Sequence, residues 1–256
     1  MSASTYGFKL WQAMACGVAC WSWSYLVRLK PVLRRQSSAV AGATVRRLAF
    51  VLLVVACTSI FAQDLRLPFT GRWFVAQGGD TINVNHHMAV RAQWFGVDFA
   101  KLGGPGQRAL SVANPSRLQD FYSRNEPVLS PVDGVVESVV RDLPDNSLGA
   151  KDLSNPAGNH VVVKAAENRF VYLAHFQRES ITVAQGDRIR VGQVLGRCGN
   201  SGNSDFPHIH LHVQDSLTDE AIGQNPVFAG MTVELTGKKF ENVTWPVIRG
   251  LFLTTN

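Results

Sequence analysis

Between residues 128 and 213 the chain is cut by turn residues into short β-forming runs, and this punctuation leaves little room for a helical fold. A Pro-Val-Asp-Gly turn at 131–134 precedes Val135-Val136-Glu137-Ser138-Val139-Val140, and His160–Lys164 is a second β run. Phe170–Phe176 alternates aromatic and small residues. Ile181–Val183, Ile189–Val191 and Gln193–Gly196 read as short strands parted by Gly186-Asp187 and Gly192. Ile209–Val213 alternates strictly between apolar residues and His. Only Pro115–Tyr122 offers a helical turn or two, and Asp142–Gly158, rich in Asp, Asn, Pro and Gly, reads as a surface loop. The predicted class is all-β, an antiparallel two-sheet sandwich or partial barrel.

The formal net charge of +6 invites a nucleic-acid partner, but its distribution argues against one. Seven of the 25 basic residues and none of the 19 acidic ones fall in residues 1–62, so residues 63–256 hold 18 basic against 19 acidic. That body has no excess of cations to neutralise phosphates. The basic, acid-free residues 1–62 read instead as a leader, with 63–256 as a single domain that has its core at 83–215 and a C-terminal extension. Arg46-Arg47 and the apolar run Leu48–Ala56 resemble a signal peptide with a cleavage site near Ile60-Phe61-Ala62. Val54-Val55-Ala56-Cys57 equally resembles a lipobox, which would make Cys57 a lipid anchor. Either reading exports the body to the periplasm or cell envelope. Residues 1–44, with a second apolar run at Leu10–Val27, read as an over-extended gene start or an extra membrane segment. Of four cysteines only Cys198 lies in the body, which excludes an internal disulfide there and suggests a small core residue.

The seven histidines, at 86, 87, 160, 175, 208, 210 and 212, carry the chemistry. On a strand, His208, His210 and His212 share one face while Ile209, Leu211 and Val213 enter the core. A His row is costly to bury and suited to metal ligation, although a hydrogen-bonded polar face would look the same. Asp98 stands alone in the apolar run Phe95-Gly96-Val97-Asp98-Phe99, where a carboxylate is expensive to bury unless it is paired or holds a metal.

These segments occur in a recognisable order. Asn85-His86-His87 is followed by Gln93-Trp94-Phe95-Gly96-Val97-Asp98-Phe99, Pro127–Val136, Gly158–Val163, Tyr172-Leu173-Ala174-His175, Gly186–Gln193, Gly199–Ser204 and Pro207-His208-Ile209-His210. Over roughly residues 83 to 215 the chain resembles the lysostaphin/LytM-type zinc metallopeptidases, which cut peptides of bacterial peptidoglycan. The resemblance implies one zinc ion held by His87, Asp98 and His210, with His175 and His208 as catalytic, non-ligand residues. The eleven-residue gap from His87 to Asp98 matches a subgroup with a widely spaced first motif, in which Trp94 and Gly96 replace the usual Arg and Ala. His86 is the alternative ligand. His160 and His212 match no catalytic position and are expected to be structural.

The implied chemistry is peptide hydrolysis by water activated at zinc, with His175 and His208 orienting the water, moving its proton and stabilising the oxyanion. Gly199–Gly202, Asp142–Gly158 and the segment after Asp215 are the expected groove walls. Two alternatives keep the same scaffold: a non-catalytic regulator of cell-wall amidases, and a protease acting on proteins. A lipoyl- or biotinyl-type carrier is disfavoured, because no modifiable Lys occupies a hairpin tip.

Overall fold

The computed structural model describes residues 64–104 and 107–255. The leader readings, including the apolar runs, Cys57 and the export signal, lie outside the described residues.

The described chain is built from strands. They are β1 (Arg72–Gln77), β2 (Val97–Lys101), β3 (Pro127–Leu129), β4 (Gly134–Val140), β5 (Asn159–Ala166), β6 (Arg169–Phe176) and β7 (Arg188–Ile189). They continue as β8 (Val194–Arg197), β9 (Ile209–Gln214), β10 (Gly223–Gln224), β11 (Val227–Leu235), β12 (Lys238–Pro246) and β13 (Phe252–Thr255). Helix is confined to 3₁₀ turns at His86–Ala89, Arg91–Gln93 and Leu118–Asp120, the last inside the segment expected to turn.

All-β and antiparallel are as expected, but the two sheets are very unequal. One long sheet runs β12-β11-β13-β1-β2-β9-β6-β5-β4-β7, with β10 beside β9, and β3 pairs with β8 in a second. Residues 227–255, expected as an extension beyond the core, continue the large sheet, because β13 pairs with β1. Ile181–Val183 corrects the sequence reading. The segment buries Ile181 and Val183, but only the Thr182 amide bonds to the Leu195 carbonyl, so no ladder forms. β7 also stops at Ile189, and the Val191 amide is taken by the Asp133 carboxylate instead of a neighbouring strand.

The core explains why β2 is central. Phe69 stacks on Trp73 at 4.6 Å, packs edge-on against Phe99 of β2 at 5.1 Å, and Phe99 meets Phe228 at 5.7 Å. All four rings are fully buried, and the Trp73 indole donates to the Thr70 carbonyl. Cys198 is buried, and desolvation pushes its thiol pKa up, as suits a packing residue. Two loops close tightly at one end. Gly158 and Gly202 both have left-handed φ, and a Cβ on either would lie 2.4 Å from backbone of the other loop.

Trp73→Ala removes the largest ring of this core and should cost about 3–5 kcal/mol. Denaturant unfolding of wild type and variant measures it, with an unchanged midpoint contradicting the assignment of Trp73 to the core.

Candidate metal centre and active site

Asp98 lies on β2, whose residues are buried on both faces. β2 runs between β1 and β9, in a register that sets Asp98 opposite His210. Directly opposed residues in an antiparallel pair carry their side chains on one face, about 5 Å apart at Cβ. The alternation read from the sequence therefore holds: Ile209, Leu211 and Val213 are fully buried in the core, and the His row meets the carboxylate.

One oxygen, Asp98 Oδ1, is approached by three imidazoles. His210 Nδ1 is 3.0 Å away, His87 Nε2 3.4 Å and His208 Nε2 3.5 Å. Asp98 is 6% exposed. Burial alone would raise its pKa, but the surrounding imidazoles, His87 and His208 foremost, hold it well below the usual carboxylate range.

The hydrogens around His87 can be counted. Asn85 caps the 3₁₀ turn His86–Ala89, and its amide nitrogen donates to the carbonyls of Gly79 (2.8 Å) and Gly96 (3.0 Å). Its Oδ1 is thereby turned to His87, where it accepts from the backbone amide at 3.2 Å and from Nδ1–H at 2.8 Å. Burial lowers the His87 pKa to about 3, with Asp98 only partly offsetting, so the ring is neutral at pH 7. A neutral ring protonated at Nδ1 has a bare lone pair at Nε2, aimed at an anionic oxygen. Two electron-rich atoms held this way are repulsive unless a cation sits among them. The donor set of imidazole nitrogens and a carboxylate oxygen suits zinc.

Two overlapping triads could supply the ligands. His87 and Asp98 are common to both; the third is His210 or His86, one nitrogen of which lies within 4.8 Å of the other two groups. His86 is exposed and its ring stacks on His87 at 4.1 Å. His210 is buried and closest to Asp98.

The two expected catalytic histidines flank this centre. The His175 ring lies 4.8 Å from His208 and 5.7 Å from His210. His175 Nδ1–H donates to the Ser201 carbonyl at 2.8 Å, and His208 Nδ1–H to the Phe206 carbonyl at 2.8 Å. A carbonyl only accepts, so Nε2 of each neutral ring carries the free lone pair. Their basicities diverge. Burial and the neighbouring His208 hold the His175 pKa well below normal. Burial also penalises charged His208, but Asp98 outweighs it and raises the pKa. His175 has φ of +65° near the end of β6, a conformation rare outside glycine.

A cavity of about 530 Å³ opens over the centre and is lined by all five histidines so far named, together with Asp98 and His212. Lys151, Pro156 and Ala157 of the 142–158 loop wall one side, and Asn203, Asp205 and Phe206 another. Lys151 pairs with Asp205 at 3.0 Å. Gly199–Gly202 and the segment after Asp215, expected as walls, do not line it, and Ala76 and Gln77 of β1 do. His212, expected to be structural, reaches the cavity and bonds to His210. The polar alternation running on from His212 to Gln214 was the available signal. His160 stays apart, with Nδ1 on the Gly158 carbonyl.

Residues 118–224 match the profile of Peptidase family M23. Over that span the chain is similar to the M23 peptidases. The matched span holds His175, His208 and His210, while His87 and Asp98 precede it. Endolysin 2638A of Staphylococcus phage 2638A is 34% identical over 90 residues, 33% of this chain and 18% of the endolysin, so the chain spans under a fifth of that relative's length. Among solved structures, the catalytic domain of a prophage-encoded M23 protein from Enterococcus faecalis superposes with a TM-score of 0.40 at 19% identity, covering 63% of this chain and 95% of that one. The catalytic domain of lysostaphin from Staphylococcus simulans gives 0.36 at 18% identity, covering 60% and 87%. Superpositions this loose add no weight to the profile match.

Asn85→Ala leaves the buried His87 Nδ1–H and two backbone carbonyls without their partner. Each unsatisfied group costs ~1–3 kcal/mol, so a clear drop in the unfolding midpoint is expected, and an unchanged stability would refute the lock on His87.

Proposed function

We propose that the chain is a zinc-dependent endopeptidase that hydrolyses peptide bonds of bacterial peptidoglycan. One observation carries the reading: neutral His87 directs a lone pair at the buried Asp98 carboxylate, beside His210, inside an open cavity. His87, Asp98 and His210 would hold the metal. Zinc bound there supplies a Lewis acid that polarises the scissile carbonyl and acidifies water.

The chain's own groups supply the rest. His208, more basic than usual beside Asp98, is suited to hold a proton and return it to the leaving amine. His175, kept neutral by burial, can orient the attacking water through Nε2 or, when protonated there, stabilise the oxyanion. Both rings are fixed in rotation by backbone carbonyls, so little reorganisation is needed during reaction. The cavity suits an extended peptide, with Phe206 offering an apolar wall and the Lys151–Asp205 pair a charged one. The family match, the order of the motifs and the filled catalytic positions favour an enzyme over a non-catalytic amidase regulator. The basic leader supports action outside the cytoplasm, in the periplasm or cell envelope, and in the lipobox reading Cys57 is the point of lipid attachment.

The test pairs zinc content with release of muropeptides from purified peptidoglycan. His87→Ala, Asp98→Ala and His210→Ala should each lose zinc and activity. His86→Ala should keep most of both. His175→Ala and His208→Ala should keep zinc but lose about 100- to 1000-fold in turnover, the usual cost of one proton-transfer or oxyanion group. Loss of zinc in His208→Ala as complete as in His210→Ala would make His208 a ligand and close the site needed for water.

A further inference from the structure

We infer that His212 and Gln214 are positioning residues that determine which nitrogen of His210 faces the metal. The inference rests on the zinc-site reading above and extends it to residues outside the ligand set.

The derivation begins at a backbone carbonyl. Gln214 Nε2 donates to the Ser216 carbonyl, which can only accept. The Gln214 amide is therefore oriented with Oε1 toward His212 Nε2, 3.1 Å away. Turning the amide over would set oxygen against oxygen at Ser216. Because Oε1 only accepts, His212 Nε2 must carry hydrogen. The His212 ring is buried and lies on Tyr172 at 4.5 Å with planes 13° apart, and its hydrogen-bond partners are the neutral Gln214 amide and the His210 ring. Its Nδ1 is then an acceptor, filled by His210 Nε2–H at 2.8 Å. With hydrogen on Nε2, a neutral His210 has its lone pair at Nδ1, the nitrogen 3.0 Å from Asp98 Oδ1. A single run of bonds thus leads from the Ser216 carbonyl through Gln214 and His212 to His210.

The strand makes this run possible. Positions 210, 212 and 214 share one face of β9, His208 immediately precedes the strand, and all four are buried. Without an acceptor at 212, His210 Nε2–H is buried without a partner, and the alternative tautomer can donate Nδ1–H to Asp98. That tautomer blocks the nitrogen a metal would use. Partners that orient a ligating imidazole typically contribute about 10- to 100-fold in metal affinity.

The experiment measures zinc affinity of the purified full chain by competition with a chromophoric chelator. His212→Phe keeps a ring against Tyr172 but offers no acceptor, and should weaken zinc binding by about 10- to 100-fold. His212→Asn can place Oδ1 where Nδ1 lies and should recover most of that loss. Gln214→Leu, which frees the His212 tautomer, should give a smaller weakening. Long-range ¹H–¹⁵N spectra of the zinc-loaded wild type should show hydrogen on Nε2 of both His210 and His212. Wild-type affinity in His212→Phe, or hydrogen on His212 Nδ1, overturns the inference. If His212→Phe does not fold, the wild-type spectra and Gln214→Leu still decide. A wild type that takes up no zinc overturns the metal site itself, which separates that failure from failure of the relay.

Discussion

A carboxylate in the middle of a sheet is the constraint that organises this molecule. Asp98 is almost fully buried on the central strand β2, at the floor of the cavity and ringed by imidazoles. An isolated charge in such a place costs several kcal/mol, and the usual remedies are a partner or a metal. Here the partners are imidazoles from three separate segments, brought in by the 3₁₀ turn at His86–Ala89 and by β9, with His175 of β6 next to them. Register does much of the work. Asp98 opposes His210, and His210 opposes Ala174 on its other side, so the small Ala side chain leaves room in the row.

Around that charge, the protein fixes hydrogens as carefully as heavy atoms. Asn85, the Ser201 and Phe206 carbonyls, and the His212–Gln214 pair each occupy one nitrogen of a histidine and leave the other for the cavity. The loop that provides both carbonyls is itself clasped to the 142–158 loop, where a Cβ on Gly158 or Gly202 would lie 2.4 Å from the backbone opposite. Positioning is therefore assigned to rigid backbone, which suits chemistry that relies on groups already in place.

Much of this was legible in the sequence because strand periodicity is strict. The alternation at 209–213 placed the His row and the core residues on the correct faces, and an acid isolated in an apolar run marked Asp98. The runs at 135–140, 160–164 and 170–176 lie within β4, β5 and β6. Other features depend on tertiary partners. Ile181–Val183 has β-branched composition but meets only one backbone bond, so propensity misleads there. β12 is exposed along nearly its whole length and shows no buried face to read. The role of His212 required knowing that the Gln214 amide is oriented by Ser216, a contact that spacing alone does not reveal.

The central claim is that one cation is shared by His87, Asp98 and His210, through nitrogens chosen by their hydrogen-bond partners. Anomalous diffraction at the zinc edge from crystals of the purified protein tests it most directly. The account predicts a single peak at about 2.0–2.2 Å from His87 Nε2, an Asp98 carboxylate oxygen and His210 Nδ1, with His86, His175 and His208 outside ligand distance. A peak bound by His86, one bound through His210 Nε2, or no peak in zinc-supplemented crystals would contradict it.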